Sequence, residues 1–251
     1  MFLSERATQA EYLDSPEISP SQVRQSFEEL ARINRLFLQA YPFQSPVIRW
    51  LGPERSRSLS ILDLGGGDGS LARTLEAWAA QRGLSWQVTN FDLNLHALHL
   101  NTPGRNVSGS AVALPFLNNS FDLVIASQMT HHLSDLETIQ HFREAWRVTR
   151  DALFLNDLHR NLALLAVVWL AGYCTKLSPS MRADGLLSVR RGWQIREWRE
   201  LSTKAGIPEA RVSLHFGARI FLQARKSSHL TPGPDPLPIH HRNHRQVSSN
   251  G

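Results

Sequence analysis

Three groups of residues have the types and spacing to do chemistry. In the first, Asp63 is followed by Gly65, Gly66, Gly67 and Gly69. Glycine lets a chain turn sharply and lets a ligand approach the backbone, and a helix opening just after the turn presents free N–H groups. A dinucleotide fingerprint needs G-x-G-x-x-G, but its third position here is Ser70. An acid beside the turn would repel a pyrophosphate and attract an ammonium. The second group is His131-His132, side chains that titrate near neutrality and can take a proton. The third is Asn156-Asp157-Leu158-His159-Arg160. Asp157 with His159 could form a base and its orienter, and Arg160 could hold a carboxylate or phenolate. Each group has a purely structural alternative: a tight strand–helix turn, loop or cap histidines before Ser134, and an Asp157–Arg160 pair around a helix start.

These groups need a scaffold that brings them to one edge. Buried-strand patterns fall at 59–64, 86–92, 105–109, 121–127 and 152–157, with helical patterns at about 69–82, 94–99 and 134–149. Such alternation predicts a parallel sheet covered on both faces. Residues 210–216 and 218–225, around Gly217, read as an antiparallel hairpin that closes the sheet. All three groups then lie at carboxyl ends of strands, where open α/β sheets bind ligands. Upstream, Val23, Phe27, Leu30, Ile33 and Phe37 recur at helical spacing behind Ser21 as cap. A short helix is predicted over 45–51, with Pro46 in its first turn. Downstream of the fifth strand, residues 162–174 are almost wholly apolar, and 178–192 form a polar, arginine-bearing loop. A last helix is predicted over 194–205, ended by Gly206 and Pro208.

Taken as a set, these elements resemble class I S-adenosylmethionine-dependent methyltransferases of the small-molecule type. The family's first motif is an acid followed by G-x-G-x-G, as in Asp63, Gly65, Gly67 and Gly69. The resemblance implies that Asp92, with Leu93 beside it, binds the ribose hydroxyls, and a carboxylate can indeed accept two bonds from a diol. It places Ser110 and Ala111 at the adenine, although many members carry Asp where this chain has Ser110. Ser127 and Gln128 would pass beneath the sulfonium. The implied fold is a Rossmann-like, seven-stranded, mostly parallel sheet with helices on both faces, an antiparallel C-terminal hairpin and an N-terminal helical lid. Polar composition reads as a flexible leader (1–20) and, without periodicity, a disordered tail (227–251), around a helical cap (21–55) and a methyltransferase domain (56–226, with a lid insertion at 160–193). His131, His132, Asp157 and His159 are the catalytic candidates.

Bulk properties narrow the acceptor. Two of the five net positive charges lie in 226–251, so the basicity of the body is mild and does not argue for nucleic acid. The fourth strand is followed by Ser127-Gln128-Met129-Thr130, not the Pro-Pro-aromatic motif of nucleic-acid amino methylation. The single cysteine, Cys174, excludes an intramolecular disulfide and a multi-cysteine metal site. Tail histidines His229, His240, His241 and His244 lack closed spacing, so no metal is expected. The start of the chain has no apolar core and reads as no secretory signal, which points to the cytoplasm. The run Leu162–Ala171 is too short for a membrane span. It reads as a pocket wall that could also touch a membrane surface, with Arg182, Arg190 and Arg191 near a polar head. The expected function is O- or C-methylation of a small hydrophobic aromatic or polyketide-like molecule, as in quinone and polyketide biosynthesis. The alternatives are a non-catalytic S-adenosylmethionine-binding partner of a biosynthetic enzyme and, further off, an RNA methyltransferase. Nothing in the sequence sets the oligomeric state.

Overall fold

A computed structural model of the protein describes residues 3–226 apart from 16, 55, 102–103, 208–209 and 216. Seven strands, β1 (Ser58–Leu64), β2 (Ser85–Asp92), β3 (Arg105–Ser108), β4 (Phe121–Ser127), β5 (Thr149–Leu158), β6 (Arg211–His215) and β7 (Arg219–Arg225), form one sheet in the order β3-β2-β1-β4-β5-β7-β6. Strands β1 to β5 pair in parallel, and β7 runs antiparallel between β5 and β6. The chain builds outward from β1 to β3 and then returns to the other edge of β1 with β4. A crevice opens at this reversal, beyond the carboxyl ends of β1 and β4.

Side chains alternate across each strand and feed two cores. Leu62, Leu64, Val124, Ala126, Leu153 and Leu155 pack with α5 (Asp135–Val148) and α8 (Ile195–Lys204) on one face. Leu59, Ile61, Leu123, Ile125, Ala152 and Phe154 pack with α2 (Ser45–Leu51) and α3 (Ser70–Ala80) on the other. Each fully buried branched side chain contributes about 1.5–3 kcal/mol. This double-sided burial fixes the strand ends, and with them the loops that carry the three groups. The short α4 (Leu95–His99) follows β2, its first turn closed by Asn94, whose side chain accepts from the Ala97 N–H.

The remaining helices cover the carboxyl edge. The first, α1 (Pro20–Leu36), is capped by Ser19 and not by Ser21: the Ser19 side chain accepts from Gln22 N–H, and Gln22 Oε1 returns a bond to Ser19 N–H at 2.9 Å. Pro20 fills the first position, where its missing N–H costs nothing. After β5 come α6 (Leu162–Cys174) and α7 (Pro179–Arg191). Residues 178–192 are thus helix and not loop: Ser178 accepts from Met181 N–H, Pro179 opens the first turn, and Met181, Asp184 and Val189 are buried. Three arginines among small polar residues hide that inward face from a periodicity reading.

The leader also differs from its reading. Residues 1–20 read as mobile, yet residues 3–14 are docked across the carboxyl edge. Ala7 N–H donates to Arg190 O at 3.1 Å, Asp184 accepts from Tyr12 and Leu13 N–H at 2.8 and 3.3 Å, and the Arg6 guanidinium lies 3.4 Å over the Trp193 ring. The partners that order this segment lie more than 100 residues away, and local polarity cannot reveal them. No described helix is long and apolar enough to cross a membrane. The segment 227–251, read as a disordered tail, and its four histidines lie outside the described residues, as does Pro208.

Candidate active site

Asp63, at the end of β1, is buried, and neither of its carboxyl oxygens has a hydrogen-bond partner. Burial, reinforced by the charges of Asp92 and Asp68, pushes this carboxyl up to about 8. An orphaned buried carboxyl is costly, and an ammonium would satisfy it. The glycine turn wraps around this acid. Gly65 and Gly66 N–H both donate to Phe91 O, at 2.8 and 3.2 Å. A Cβ on Gly66 would lie 1.9 Å from Asn90 Oδ1, so the turn admits no side chain there. Gly67 holds φ +55°, and a Cβ on it would lie 2.6 Å from Phe27 of α1. Gly69, also left-handed, is the N-cap of α3.

Asp92 ties the turn to the end of β2. Its Oδ2 accepts from Gly67 N–H and its Oδ1 from Asn94 N–H, each at 2.8 Å. The remaining lone pairs can still accept from a diol. Leu93 beside it is 73% exposed. Ser110 and Ala111 follow β3, and Ala111 O lies 3.2 Å from Nδ1 of His141, an imidazole that burial holds neutral with its pKa down at about 4. Asp63, Gly65, Gly66, Gly67, Ser127 and Gln128 line one continuous cavity, whereas Asp92, Leu93, Ser110 and Ala111 lie beyond its wall. Gln128 holds φ +57°, a rare conformation for a side-chain-bearing residue. The orphaned acid and the diol acceptor fit the cofactor that the resemblance implies.

The second centre lies one strand over. Thr130–His132 form a 3-10 turn just past β4, beside Asp157 on β5. His131 Nδ1 is 2.7 Å from Asp157 Oδ1, while Asp157 Oδ2 accepts from His131 N–H at 2.8 Å and from the Thr130 hydroxyl. Burial raises the Asp157 carboxyl, but the His131 charge and these bonds outweigh it and hold the group at about 2. An ionised Asp157 places the imidazole proton on Nδ1. Nε2 then lies 3.5 Å from Glu11 Oε1. Glu11 comes from the docked leader, and burial pushes its carboxyl up to about 7. His132 is more open and lies 3.1 Å from Asp14. Glu11, His131 and His132 all border the cavity.

Three expectations for these loops are corrected. His159 does not pair with Asp157: its Nδ1 lies 3.2 Å from Gly217 O and its Nε2 3.1 Å from Gln194 Oε1, and it does not reach the cavity. Residues 157 and 159 lie on a chain leaving β5, and the β7 turn captures the second. Arg160 holds no ligand. It is buried, bound to Glu197 at 2.7 Å, to Leu3 O at 3.0 Å and to Gly192 O. Arg191 is also a strut, donating to His131 O, Gln9 O and Asp14 at 3.1 Å each. Arg6 donates to His131 O and Leu133 O at 3.2 and 3.0 Å, so two arginines fix the backbone of the histidine turn.

The rest of the cavity is mostly apolar. Helix α1 supplies Phe27, Leu30 and Ile33, and its C-cap Phe37 adds a fourth apolar side chain. Helix α6 supplies Leu164 and Val168, one turn apart, and α7 supplies Met181 and Arg182. The outer side of α6 leaves Leu162, Val167, Trp169, Leu170 and Tyr173 exposed. Glu11 and Arg219 are wall residues that sequence reasoning does not find. Neither has a local motif, and each reaches the site only through tertiary packing.

Residues 62–152 match the family model described as methyltransferase domain. Comparison with curated proteins finds no match. Among solved structures, a SAM-dependent methyltransferase from Aquifex aeolicus is 16% identical, with 83% of this chain and 99% of that one covered at a TM-score of 0.54. Magnesium protoporphyrin IX methyltransferase from Synechocystis, solved with bound SAH, is 18% identical, with 80% and 94% covered at 0.52. The plantazolicin methyltransferase, solved with a desmethyl substrate analogue and SAH, is 14% identical, with 82% and 90% covered at 0.61. These likenesses establish the fold.

Proposed function

We propose that this chain, an S-adenosylmethionine-dependent methyltransferase, methylates a small hydrophobic phenol or enol, with His131 as the base. The cofactor supplies an already activated methyl group, so positioning and proton removal are left to the protein. The observation that carries the reading is the 2.7 Å contact between His131 Nδ1 and Asp157 at the wall of a cavity that begins at Asp63. Asp157 fixes the ring and its tautomer, which leaves Nε2 as the proton acceptor. Glu11, near neutrality, faces the same nitrogen and can take part in carrying the proton away. Once ionised, the acceptor offers its oxygen or the adjacent ring carbon to the methyl group. The apolar walls from α1 and α6 support a greasy acceptor. Asp63 would hold the ammonium of the cofactor, Asp92 and Leu93 its ribose, and Ser110 and Ala111 its adenine. Ser127 and Gln128 line the same cavity as Asp63.

The porphyrin and azole-peptide methyltransferases of similar fold act on quite different acceptors, so the acceptor must be found directly. Release of S-adenosylhomocysteine is measured with 3-alkylphenols of increasing chain length and with catechol as the polar comparator. Burying each methylene should raise kcat/KM up to about fourfold. Equal or faster turnover of catechol would overturn the hydrophobic reading.

A further inference from the structure

We propose that the guanidinium of Arg219 receives a carboxylate carried by the methyl acceptor, so that the substrate class is an amphiphilic phenolic acid. The proposal rests on the methyltransferase reading above and adds the anchoring group. Arg219 opens β7 and pairs in register with Leu158, the last residue of β5. Its Nη2 donates to Phe37 O, at the end of α1, at 3.2 Å. Its Nη1 is buried without a hydrogen-bond partner. The side chain forms cavity wall together with Gln39, Leu158 and Ala218. The acid whose charge reaches it is Asp157, which is already engaged by Thr130, His131 and Leu158. Burial lowers the Arg219 pKa only to about 10, so the cation persists at neutral pH. A half-buried cation on a cavity wall, with one guanidinium nitrogen left without a partner, is poised for an anion. A planar fork of donors matches a carboxylate in shape as well as charge. Arg182, the other guanidinium on the wall, is instead seated over the Tyr173 ring at 4.5 Å.

Two carboxylates could take this position, one on the acceptor and one on the methionine moiety of the cofactor. Placement in the sheet favours the acceptor. The ammonium partner, Asp63, ends β1, and β7 lies three strands further along the sheet order. At about 4.8 Å per strand, their backbones stand about 14 Å apart, so the guanidinium would have to cross three strands to reach a group held by Asp63 and only one to reach the end of β5. The opening of β7 lies instead next to the end of β5, on the side of the cavity that holds His131 and Asp157.

The test uses the full chain and two probes, a 6-alkylsalicylate and its methyl ester, each titrated by calorimetry in the presence of S-adenosylhomocysteine. The wild type should bind the acid more tightly than the ester by about tenfold or more, as expected for a hydrogen-bonded charge pair. Arg219→Met should erase that preference and leave ester binding and S-adenosylhomocysteine affinity within about twofold, and Arg219→Lys should restore part of it. Retained S-adenosylhomocysteine affinity also certifies that the variant is folded. Equal binding of acid and ester by the wild type overturns the proposal, as does a preference that survives in Arg219→Met. Loss of S-adenosylhomocysteine affinity in Arg219→Met with an unchanged melting temperature assigns the guanidinium to the cofactor and overturns it too. Absence of S-adenosylhomocysteine binding by the wild type would instead remove the underlying methyltransferase reading.

Discussion

The cavity's end at β1 and β2, the crevice, and its other end at β4, β5 and β7 share one sheet edge but are built in opposite ways. The crevice is made by short stretches of chain. Asp63 to Gly69 is one turn, and Asp92 reaches back 2.8 Å to Gly67. Asp92 is bound to backbone N–H groups, whereas Asp63 has no hydrogen-bond partner. The other end is assembled from five distant pieces: Glu11, α1, the His131 turn, the α6–α7 pair and Arg219. Its polar groups are held by partners on other elements, as His131 is by Asp157 and Arg219 by Phe37 O. A site that must bind one fixed molecule can be encoded in a local backbone motif. A site whose ligand differs between relatives is made from tertiary contacts, and its chemistry cannot be read from any one stretch.

If that contrast holds, substitutions should separate cleanly into those that remove turnover and those that remove cofactor affinity. The largest effect is expected for His131→Ala. Loss of a positioned base should lower kcat by about 10²- to 10⁴-fold, while S-adenosylhomocysteine affinity measured by calorimetry stays near wild type. Asp157→Asn should follow it in kind, because the amide cannot hold the imidazole proton on Nδ1. It should also remove a pH effect on stability. The folded-state pKa of Asp157 is depressed to about 2, so its stabilisation is present above the unfolded carboxylate range and is lost as pH falls toward 2. The variant should therefore lose stability at neutral pH and show a flatter acid limb in urea unfolding. Equal losses of cofactor affinity and turnover in His131→Ala would break the division between the two regions.

Asp63→Asn tests the other side. Removing the charge that faces the ammonium should weaken S-adenosylhomocysteine binding by about 10- to 100-fold. The effect on the ligand-free protein has the opposite sign. The folded-state pKa of Asp63 is raised to about 8, so the unfolded chain binds fewer protons between the ordinary carboxylate range and pH 8. Stability falls as pH rises through that window. Asn has no proton to lose, so Asp63→Asn should melt higher than the wild type at pH 8 in the absence of cofactor, with the difference closing toward pH 4. A variant that melts lower at pH 8 would mean that Asp63 is satisfied in the free protein and is not held ready for a cation.

The same contrast explains what was legible. Strand–helix alternation, the hairpin around Gly217 and the glycine turn follow from local rules of burial and backbone sterics, and the sheet forms as those rules predict. The His131-His132 pair stands out by its position after β4, but its partner does not. Asp157 and His159 are two residues apart, so pairing them is the local guess, whereas Asp157 faces a parallel neighbour strand and meets His131. Arg191 and Arg160 look like ligand groups in sequence because their carboxylate and carbonyl partners lie far away in the chain. Glu11 and Arg219 carry no pattern at all. Residues 3–14 read as mobile because the contacts that dock them on the sheet edge are long-range.

The smallest expected effect belongs to His159→Ala, and it is the sharpest test of that last distinction. His159 Nε2 donates to Gln194 Oε1 at 3.1 Å and Nδ1 accepts from Asn161 Nδ2 at 2.8 Å, and its ring does not border the cavity. Removing it should cost roughly the net worth of one or two hydrogen bonds, about 0.5–1.5 kcal/mol each, read as a modest drop in melting temperature. Asn161 Nδ2 also donates to Gly217 O at 2.8 Å, so the turn before β7 keeps one of its ties. Turnover and cofactor affinity should stay within about twofold, because neither Asp157 nor His131 loses a partner. Loss of kcat comparable to that of His131→Ala would show that the edge between β5 and β7, and not the turn after β4, carries the proton.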